Sequence, residues 1–525
     1  MRLVTHQPDP GPIGRAVRDA LAHKPADPVA TFYRAHNFHP LWLDGAAVRP
    51  EAMQLIEVLR QSGQDNLDPA VYRPEQMALE VAHAGRRPAS LARAEIDLSR
   101  AYAAYAVDLH RPVRSAGLQF IDPAVRLPPT EARAALEAVL RAPSLADALG
   151  SAQKMNLIYT QLRTALGERR ARGDEGATTR RIEANLERAR ALPPDLGQRF
   201  ILVNPARETL WLYADGKPQD SMRVVVGKPS LPTPSMVGLV RYAQLNPYWN
   251  VPPDLVRDRL APAVLRRGPG YLRDHHFEVL SDWSPSAAVL NSDSVDWSAV
   301  ADGRRPLRVR QRPGQDNMMG HVKFMLPNPL GIYLHDTSER GLFRDAERTD
   351  SSGCVRVQHP GKLADWLFQR PVKFKTSGAP DQRIDLPAPV PVYILYLTAA
   401  PGPDGLVFPS DIYARDPTVQ GELGSMPGRG GPQVEQAVAA AADSGAKACG
   451  DKAACPRLHA AKHHATHASA KPRLRKIPVK ASRPKAPHKC QGRNTWATQI
   501  RFWSNSRKAD CVSRHPARAP RSARR

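Results

Sequence analysis

Apolar residues recur at helical spacing through the first third of the chain. They do so in Glu51–Ser62 (Met53, Leu55, Ile56, Val58, Leu59) and again in Leu91–Leu109, which predicts amphipathic helices. Pro50 stands where a first helix would start, and LPPTEARAALEAVLRA reads likewise, with Thr130 placed to cap an Ala-rich helix. The charged stretch Arg169–Arg190 has few large apolar residues and reads as a linker or an exposed helix. Residues 1–26, rich in Pro and Asp, read as a loose, disordered leader.

Near Gln198 the period changes. RFILVNPARETLWLYADGKPQDSMRVVVG alternates and is rich in strand formers, with Asp215-Gly216 as a hairpin turn signal. Further strands are expected at Leu239–Leu245, Val322–Met325, Gly331–Leu334 and Val390–Leu397. Residues 252–315 form a Pro-, Arg- and Asp-rich insertion holding Trp283, Trp297 and His275-His276, either a lid or a surface excursion. After about Asp416 no hydrophobic period remains. The expected organisation is α+β and multidomain: a leader (1–26), a helical domain (27–195), a mainly β domain (196–415) with its insertion, and a low-complexity basic tail (416–525).

Charge sharpens that division. The 525 residues carry a formal +24, and residues 421–525, with 22 Lys+Arg against 5 Asp+Glu, supply 17 of it. The basic character is therefore a tail property, suited first to solvation and next to an anionic wall or membrane surface. Nucleic-acid binding is disfavoured, because no aromatic-interleaved basic fold accompanies the charge. No run of 18 apolar residues predicts a membrane span, and the N-terminus lacks the apolar core of a secretory signal. Four of the five cysteines (Cys449, Cys455, Cys490, Cys511) fall in the tail. The Cys449–Cys455 spacing suits a disulfide better than zinc, so the tail is not expected to hold a metal.

That leaves Cys354 alone in the part expected to fold, as an inert buried thiol or a reactive one. Its context is GIYLHDTSERGLFRDAERTDSSGCVRV. His335 closes an apolar strand-like run, and Cys354 follows a Ser-Ser-Gly turn. An imidazole close in space would take the thiol proton, and Gly353 would let the backbone approach a substrate carbonyl. Arg356 alternates with Val355 and Val357 and could meet a substrate carboxylate. His321 and His359 flank this segment and read as surface or structural residues. A papain-like protease is disfavoured, since that family places Cys before His along the chain.

The segment resembles the signature of YkuD-type L,D-transpeptidases: a His, a spacer, then Ser/Thr-x-Gly-Cys and an apolar residue. The Ser-Gly-Cys-Val-Arg form belongs to a long-chain branch, in which Ser352 stands where many members have His. VVVGKPSLPTP, LNPYWNVPPDLVRDRLAP and HVKFMLPNPLGIYLHDT resemble further segments of that branch. The resemblance covers residues 195–415 closely and 27–150 loosely. It implies a helical scaffold packed on the catalytic domain and a capping role for the insertion. It implies Cys354 as nucleophile, His335 as base, and the Asp336 carbonyl, rather than its side chain, as the imidazole's anchor. The amides of Gly353 and Cys354 would hold the oxyanion, while Arg356, Tyr333, Ser352 and Trp249 would shape the donor site. The implied substrates are peptidoglycan tetrapeptide stems, joined 3→3 through a thioester with loss of D-Ala and with no metal or cofactor, by a monomer in the periplasm or cell envelope. Hydrolysis, or attachment of a wall protein, would use the same thioester; a silent wall-binding scaffold is the non-enzymatic alternative. A separate peptidoglycan-binding module, present in long members, has no room between Tyr159 and Leu186, and the basic tail has no family counterpart.

Overall fold

The computed structural model describes residues 9–374, 378–426 and Gly428. Helices occupy the first part: α1 (Gly11–Leu21), α2 (Pro28–Ala35), α3 (Pro50–Arg60), α4 (Pro69–Tyr72), α5 (Pro74–His83), α6 (Pro88–Leu109), α7 (Ala132–Arg141), α8 (Leu145–Ala152), α9 (Leu157–Ala171) and α10 (Ala177–Arg190). Several starts follow simple chemistry. Pro fills the first position of α2, α3 and α6, and the side chains of Asp27, Ser144 and Asn156 accept first-turn N–H groups of α2, α8 and α9. Thr130 does not cap α7. Glu131 is the boundary residue, one position too late for the threonine hydroxyl, and α7 has no side-chain cap.

From Gly11 to Leu21 the expected leader is helical rather than loose. Ile13, Val17 and Leu21 recur every four residues in α1, and Val17 and Leu21 are 0% and 1% exposed in the helical core. The surrounding prolines and aspartates hide that stripe. The charged stretch also overturns its reading. In α10, Ile182, Ala184, Leu186 and Ala189 are fully buried, and Glu187, Arg188 and Arg190 are buried with them. Its charges are matched one by one: Arg190 to Glu187 at 3.0 Å, Arg188 to Asp416 at 2.6 Å, and Glu183 to Arg170 at 2.6 Å.

Strands follow in chain order: β1 (Gln119–Phe120), β2 (Arg199–Asn204), β3 (Thr209–Ala214), β4 (Lys217–Val225), β5 (Met236–Leu245), β6 (Trp249–Val251), β7 (Phe277–Leu280), β8 (Val289–Leu290), β9 (Arg308–Gln311), β10 (Val322–Met325), β11 (Leu334–His335), β12 (Val355–Val357) and β13 (Gln382–Ile394). Nine of them make one sheet in the order β10-β11-β12-β4-β3-β2-β13-β5-β1. A further β10–β5 pairing closes it on itself, which removes the free edges there. Asp215 (φ 51°) and Gly216 (φ 72°) turn the β3–β4 hairpin, as their sequence predicts. Alternation serves two cores. Ile201 and Val203 point into the closed sheet, while Phe200 and Leu202 face outward into the helical core, so the helices and β2 share one apolar interior.

The insertion is not irregular. Strands β6 to β9 form their own sheet in the order β8-β7-β9-β6, and in the same insertion α11 (Ala261–Arg267) and α12 (Trp297–Ala301) pack on each other. Strands of two to four residues among Pro and Arg leave too little period to read. After β12, α13 (Pro360–Phe368) covers the closed sheet through Leu363 and Leu367. The segment expected to start the tail is a helix, α14 (Asp416–Ser425). Val419 and Leu423 are buried with Val113, Ala116 and Ala184, and Asp416 is the partner of Arg188. The rest of the tail, with Cys449, Cys455, Cys490 and Cys511, lies outside the described residues.

Candidate active site

Strands β10, β11 and β12 lie side by side in the closed sheet. Lys323 sits opposite His335, and His335 pairs in register with Arg356. Val322, Phe324, Leu334, Val355 and Val357 belong to the core inside the sheet. The period of two therefore puts Lys323, His335 and Arg356 on the other face. Two residues earlier on that same face are Tyr333 and Cys354, joined across the strands by the Val355 N–H donating to the Tyr333 carbonyl at 3.1 Å.

Cys354 is partly exposed. Its thiol donates to the Gly331 carbonyl at 3.4 Å, and the Tyr333 side chain lies beside the sulfur. The turn below it is tightly held. The Ser351 hydroxyl donates to the Cys354 carbonyl at 2.6 Å, and the Thr233 hydroxyl donates to the Gly353 carbonyl at 2.9 Å. Gly227 N–H donates to Thr233 at 2.8 Å, and the Tyr413 hydroxyl donates to the Gly227 carbonyl at 2.6 Å. Gly353 adopts φ 113°, and a Cβ there would meet the Ile332 side chain at 3.2 Å, so the turn requires glycine. One expectation is corrected. The Gly353 N–H donates to Ser351 Oγ at 3.1 Å and so is committed to the turn. Among the described residues nothing accepts from the Cys354 N–H, which leaves that amide to face an oxyanion.

His335 is 2% exposed, and its Nδ1 lies 2.5 Å from the Asp336 carbonyl. A carbonyl can only accept, so Nδ1 carries the proton and Nε2 is the basic nitrogen. The Asp336 carboxylate is not idle, contrary to the sequence expectation. It is buried, and it accepts from His321 N–H at 2.8 Å, from Thr337 N–H at 2.6 Å and from the Arg340 guanidinium. Gly320 (φ 59°) makes room for it, since a Cβ there would lie 2.3 Å from that carboxyl group. His321 thus contributes through its backbone, while His359 is exposed ahead of α13. Burial first, and then the charges of Arg356 and Lys323, hold His335 down to about 3. Burial also pushes the Cys354 thiol above its ordinary value. At neutral pH the resting pair is thiol and neutral imidazole. No hydrogen bond joins the two among the described residues.

Arg356 was expected to meet a substrate carboxylate. Instead its guanidinium is ion-paired with Glu339, the two side chains being 9% and 6% exposed. Trp249 is also displaced from its expected role. It is 6% exposed in β6 and packs at 6.0 Å against Phe277, inside the insertion's own sheet. Ser352 is exposed at the turn beside Cys354, and Trp283 is 59% exposed between β7 and β8. Sequence reasoning passed over Lys323, Thr233, Glu339 and Tyr413. Lys323 had a readable signal: it has the strand parity opposite to Val322 and Phe324. Thr233, Glu339 and Tyr413 reach the site through loops that no periodicity encodes.

Residues 27–166 match the profile of a scaffold-domain family, and residues 198–390 match that of YkuD, described as the L,D-transpeptidase catalytic domain. A Haemophilus influenzae protein, provisionally assigned as an L,D-transpeptidase, is 32% identical over 283 residues, covering 52% of this chain and 55% of that protein. The chain thus spans about half the length of this curated relative. Among solved structures, a mutant L,D-transpeptidase of Enterococcus faecium is 14% identical (TM-score 0.19), over 39% of this chain and 52% of that one. An L,D-transpeptidase from Mycobacterium smegmatis is 12% identical (TM-score 0.19), over 38% of this chain and 58% of that one.

Proposed function

We propose that this chain, whose residues 198–390 match the L,D-transpeptidase catalytic domain behind a scaffold-domain match at 27–166, cross-links peptidoglycan through a Cys354 thioester. The observation that supports this most is the shared face: a partly exposed thiol on a rigid turn, a free N–H at the same residue, and a buried imidazole with Nε2 available two positions along the neighbouring strand.

In this reading the donor is a tetrapeptide stem whose meso-diaminopimelate carbonyl lies over Cys354. Diagonal neighbours on adjacent strands are roughly 7–8 Å apart, so a rotamer change that swings the thiol away from Gly331 brings it toward Nε2. His335 takes the thiol proton as sulfur bonds to the carbonyl carbon. The oxyanion meets the Cys354 N–H and the Tyr333 hydroxyl. Collapse breaks the C–N bond, and His335 returns its proton to the departing D-Ala amine. The side-chain amine of a second diaminopimelate then attacks the thioester, gives a proton to His335, and the thiol is restored as the 3→3 bond forms. A neutral resting pair suits this sequence, because charge separates only when substrate is in place. The same thioester with water would make a carboxypeptidase, so the acceptor decides between the two. The substrate puts the site of action in the cell envelope, and among the described residues no helix is long and apolar enough to cross a membrane.

Mass spectrometry of products from the purified chain and a disaccharide-tetrapeptide tests the proposal. A dimer equal to two monomers less one D-Ala supports transpeptidation. Monomer losing D-Ala without dimer indicates hydrolysis. No release of D-Ala by folded protein with reduced Cys354 would remove the enzymatic reading.

A further inference from the structure

The face that carries Cys354 buries two permanent cations, Arg356 and Lys323, and they are treated differently. Arg356 has Glu339. Lys323 is 7% exposed and, among the described residues, has neither a hydrogen bond nor an ion pair. Its Nζ lies 5.4 Å from the centre of the Tyr333 ring, and the Tyr333 side chain lies beside the Cys354 sulfur. One aromatic side chain therefore separates the ammonium from the reacting atom. Asp381 acts on Lys323 only at longer range, and one of its carboxylate oxygens accepts the Tyr248 N–H at 3.1 Å. The lysine stem is buried while the ammonium keeps access to solvent, so its donors stay open to an incoming anion, and burial lowers its proton affinity.

We propose that Lys323 reads the leaving residue: its ammonium pairs with the free α-carboxylate of the C-terminal D-amino acid whose amide bond Cys354 attacks. The proposal rests on the transpeptidase reading above and deepens it. In a terminal peptide bond the carboxylate carbon lies three covalent bonds beyond the scissile carbonyl carbon, roughly 3–4 Å away. A carbonyl positioned over Cys354 thus carries its carboxylate into the reach of a lysine on the same face. Arg356, already neutralised, has no such need. Lys323 would then restrict attack to bonds one residue from a free carboxyl end. Stems ending in an amide would lose that contact, and stems longer by one residue would put a neutral peptide group against a buried charge.

The test uses the full chain and two donors that differ only at the end: a disaccharide-tetrapeptide with D-Ala, and the same compound with D-alaninamide. Release of the terminal residue gives kcat/KM for each. The wild type should prefer the acid by about tenfold or more, the scale of one charge-assisted hydrogen bond. K323M should bring the ratio close to one by slowing the acid far more than the amide. K323R should restore part of the preference. Because the Lys323 charge also helps hold His335 down, the two donors are compared across pH, and the loss of preference in K323M should persist wherever both turn over. Equal slowing of both donors by K323M, with the wild-type ratio kept, would overturn the proposal and make Lys323 a residue that acts through the thiol or the fold. A wild type that turns over both donors equally would also overturn it. Should K323M melt below the assay temperature, K323Q carries the same comparison of ratios. A wild type that releases nothing from either donor would instead fail the transpeptidase reading, so the two failures are told apart.

Discussion

Two regions of this protein bury charge, and they do so in opposite ways. In α10, between the helices and the closed sheet, each buried charge meets its counterpart: Arg190 has Glu187, Arg188 has Asp416, and Glu183 has Arg170. On the face around Cys354 the matching is incomplete. Arg356 has Glu339, but Lys323 has no hydrogen bond or ion pair among the described residues, and His335 is held neutral by burial and by those same cations. Burying a charge is expensive unless geometry repays it, so a paired network is what a structural region must have. An unmatched group beside a partly exposed thiol marks a place where the counterpart comes from elsewhere. The comparison separates charge that builds the fold from charge held for chemistry.

The largest effect should come from the active face without touching the fold. Cys354→Ala should lower D-Ala release by on the order of 10³-fold or more, since it removes the nucleophile itself. The side chain is partly exposed, so the melting temperature should hardly move. A variant that melts normally and still turns over would break the mechanism. On the structural side the reverse is expected. Glu187→Gln leaves Arg190 charged and buried, with only the Leu109 carbonyl at 2.9 Å, the Asp65 carbonyl and the Tyr159 ring around it. Breaking one side of a buried pair costs about 3–5 kcal/mol, which urea unfolding would read. Replacing both partners by apolar residues should recover much of that loss. If the single and double changes cost the same, the pairing is not what stabilises α10.

The site depends next on how its base is held. Asp336→Ala removes the acceptor for the His321 and Thr337 N–H groups and for Arg340, and loosens the carbonyl that orients His335. Misplacing a catalytic group by about 1 Å can cost about 10²-fold, so kcat for D-Ala release should fall on that scale. Recovery of the rate in Asp336→Asn, which keeps an acceptor oxygen, would assign the loss to orientation rather than to charge.

These contrasts bear on what the sequence could disclose. Cys354, His335 and the turn between them were legible because strand parity and a family signature agree there. Pro50, the Leu91–Leu109 stripe and Asp215-Gly216 were legible because their signals are local. Helix α10 was misread because polarity was taken for exposure. Its partner Asp416 lies 228 residues from Arg188, and nothing nearby in the chain announces the pair. The same distance hid α14, whose Val419 and Leu423 look sparse until Ala184 and Val113 are set against them. The four-stranded sheet of the insertion was missed because strands this short carry no period. Arg356 was assigned to substrate because Glu339 is brought to it by a loop, not by spacing.

A smaller effect concerns pH. His335 is held to about 3, against about 6.5 in an unfolded chain. Between those values the unfolded state binds a proton that the folded state refuses, so stability falls as pH drops through that window. The slope approaches ~1.4 kcal/mol per pH unit for one group. His335→Gln removes this contribution. The stability difference between wild type and variant should therefore move by about 2 kcal/mol in the variant's favour from pH 7 to pH 5. Urea titrations at the two pH values check it, and a constant difference would mean that the imidazole titrates normally in the fold.

The smallest effect is the most discriminating for the comparison itself. Lys323→Met should leave the melting temperature unchanged or raise it slightly. The lysine makes no described hydrogen bond, its burial disfavours the ammonium, and methionine fills a similar volume without charge. The penalty is present wherever the folded lysine is charged and fades as pH rises toward its ordinary 10.5, so any gain from methionine should be larger at pH 7 than at pH 10. Both Lys323→Met and Glu187→Gln remove one buried charge, yet only the second should destabilise, because only Glu187 neutralises a neighbour. If Lys323→Met instead lost several kcal/mol, Lys323 would have to be counted with α10 as charge that builds the fold, and the distinction between the two regions would fail at the residue on which it most depends.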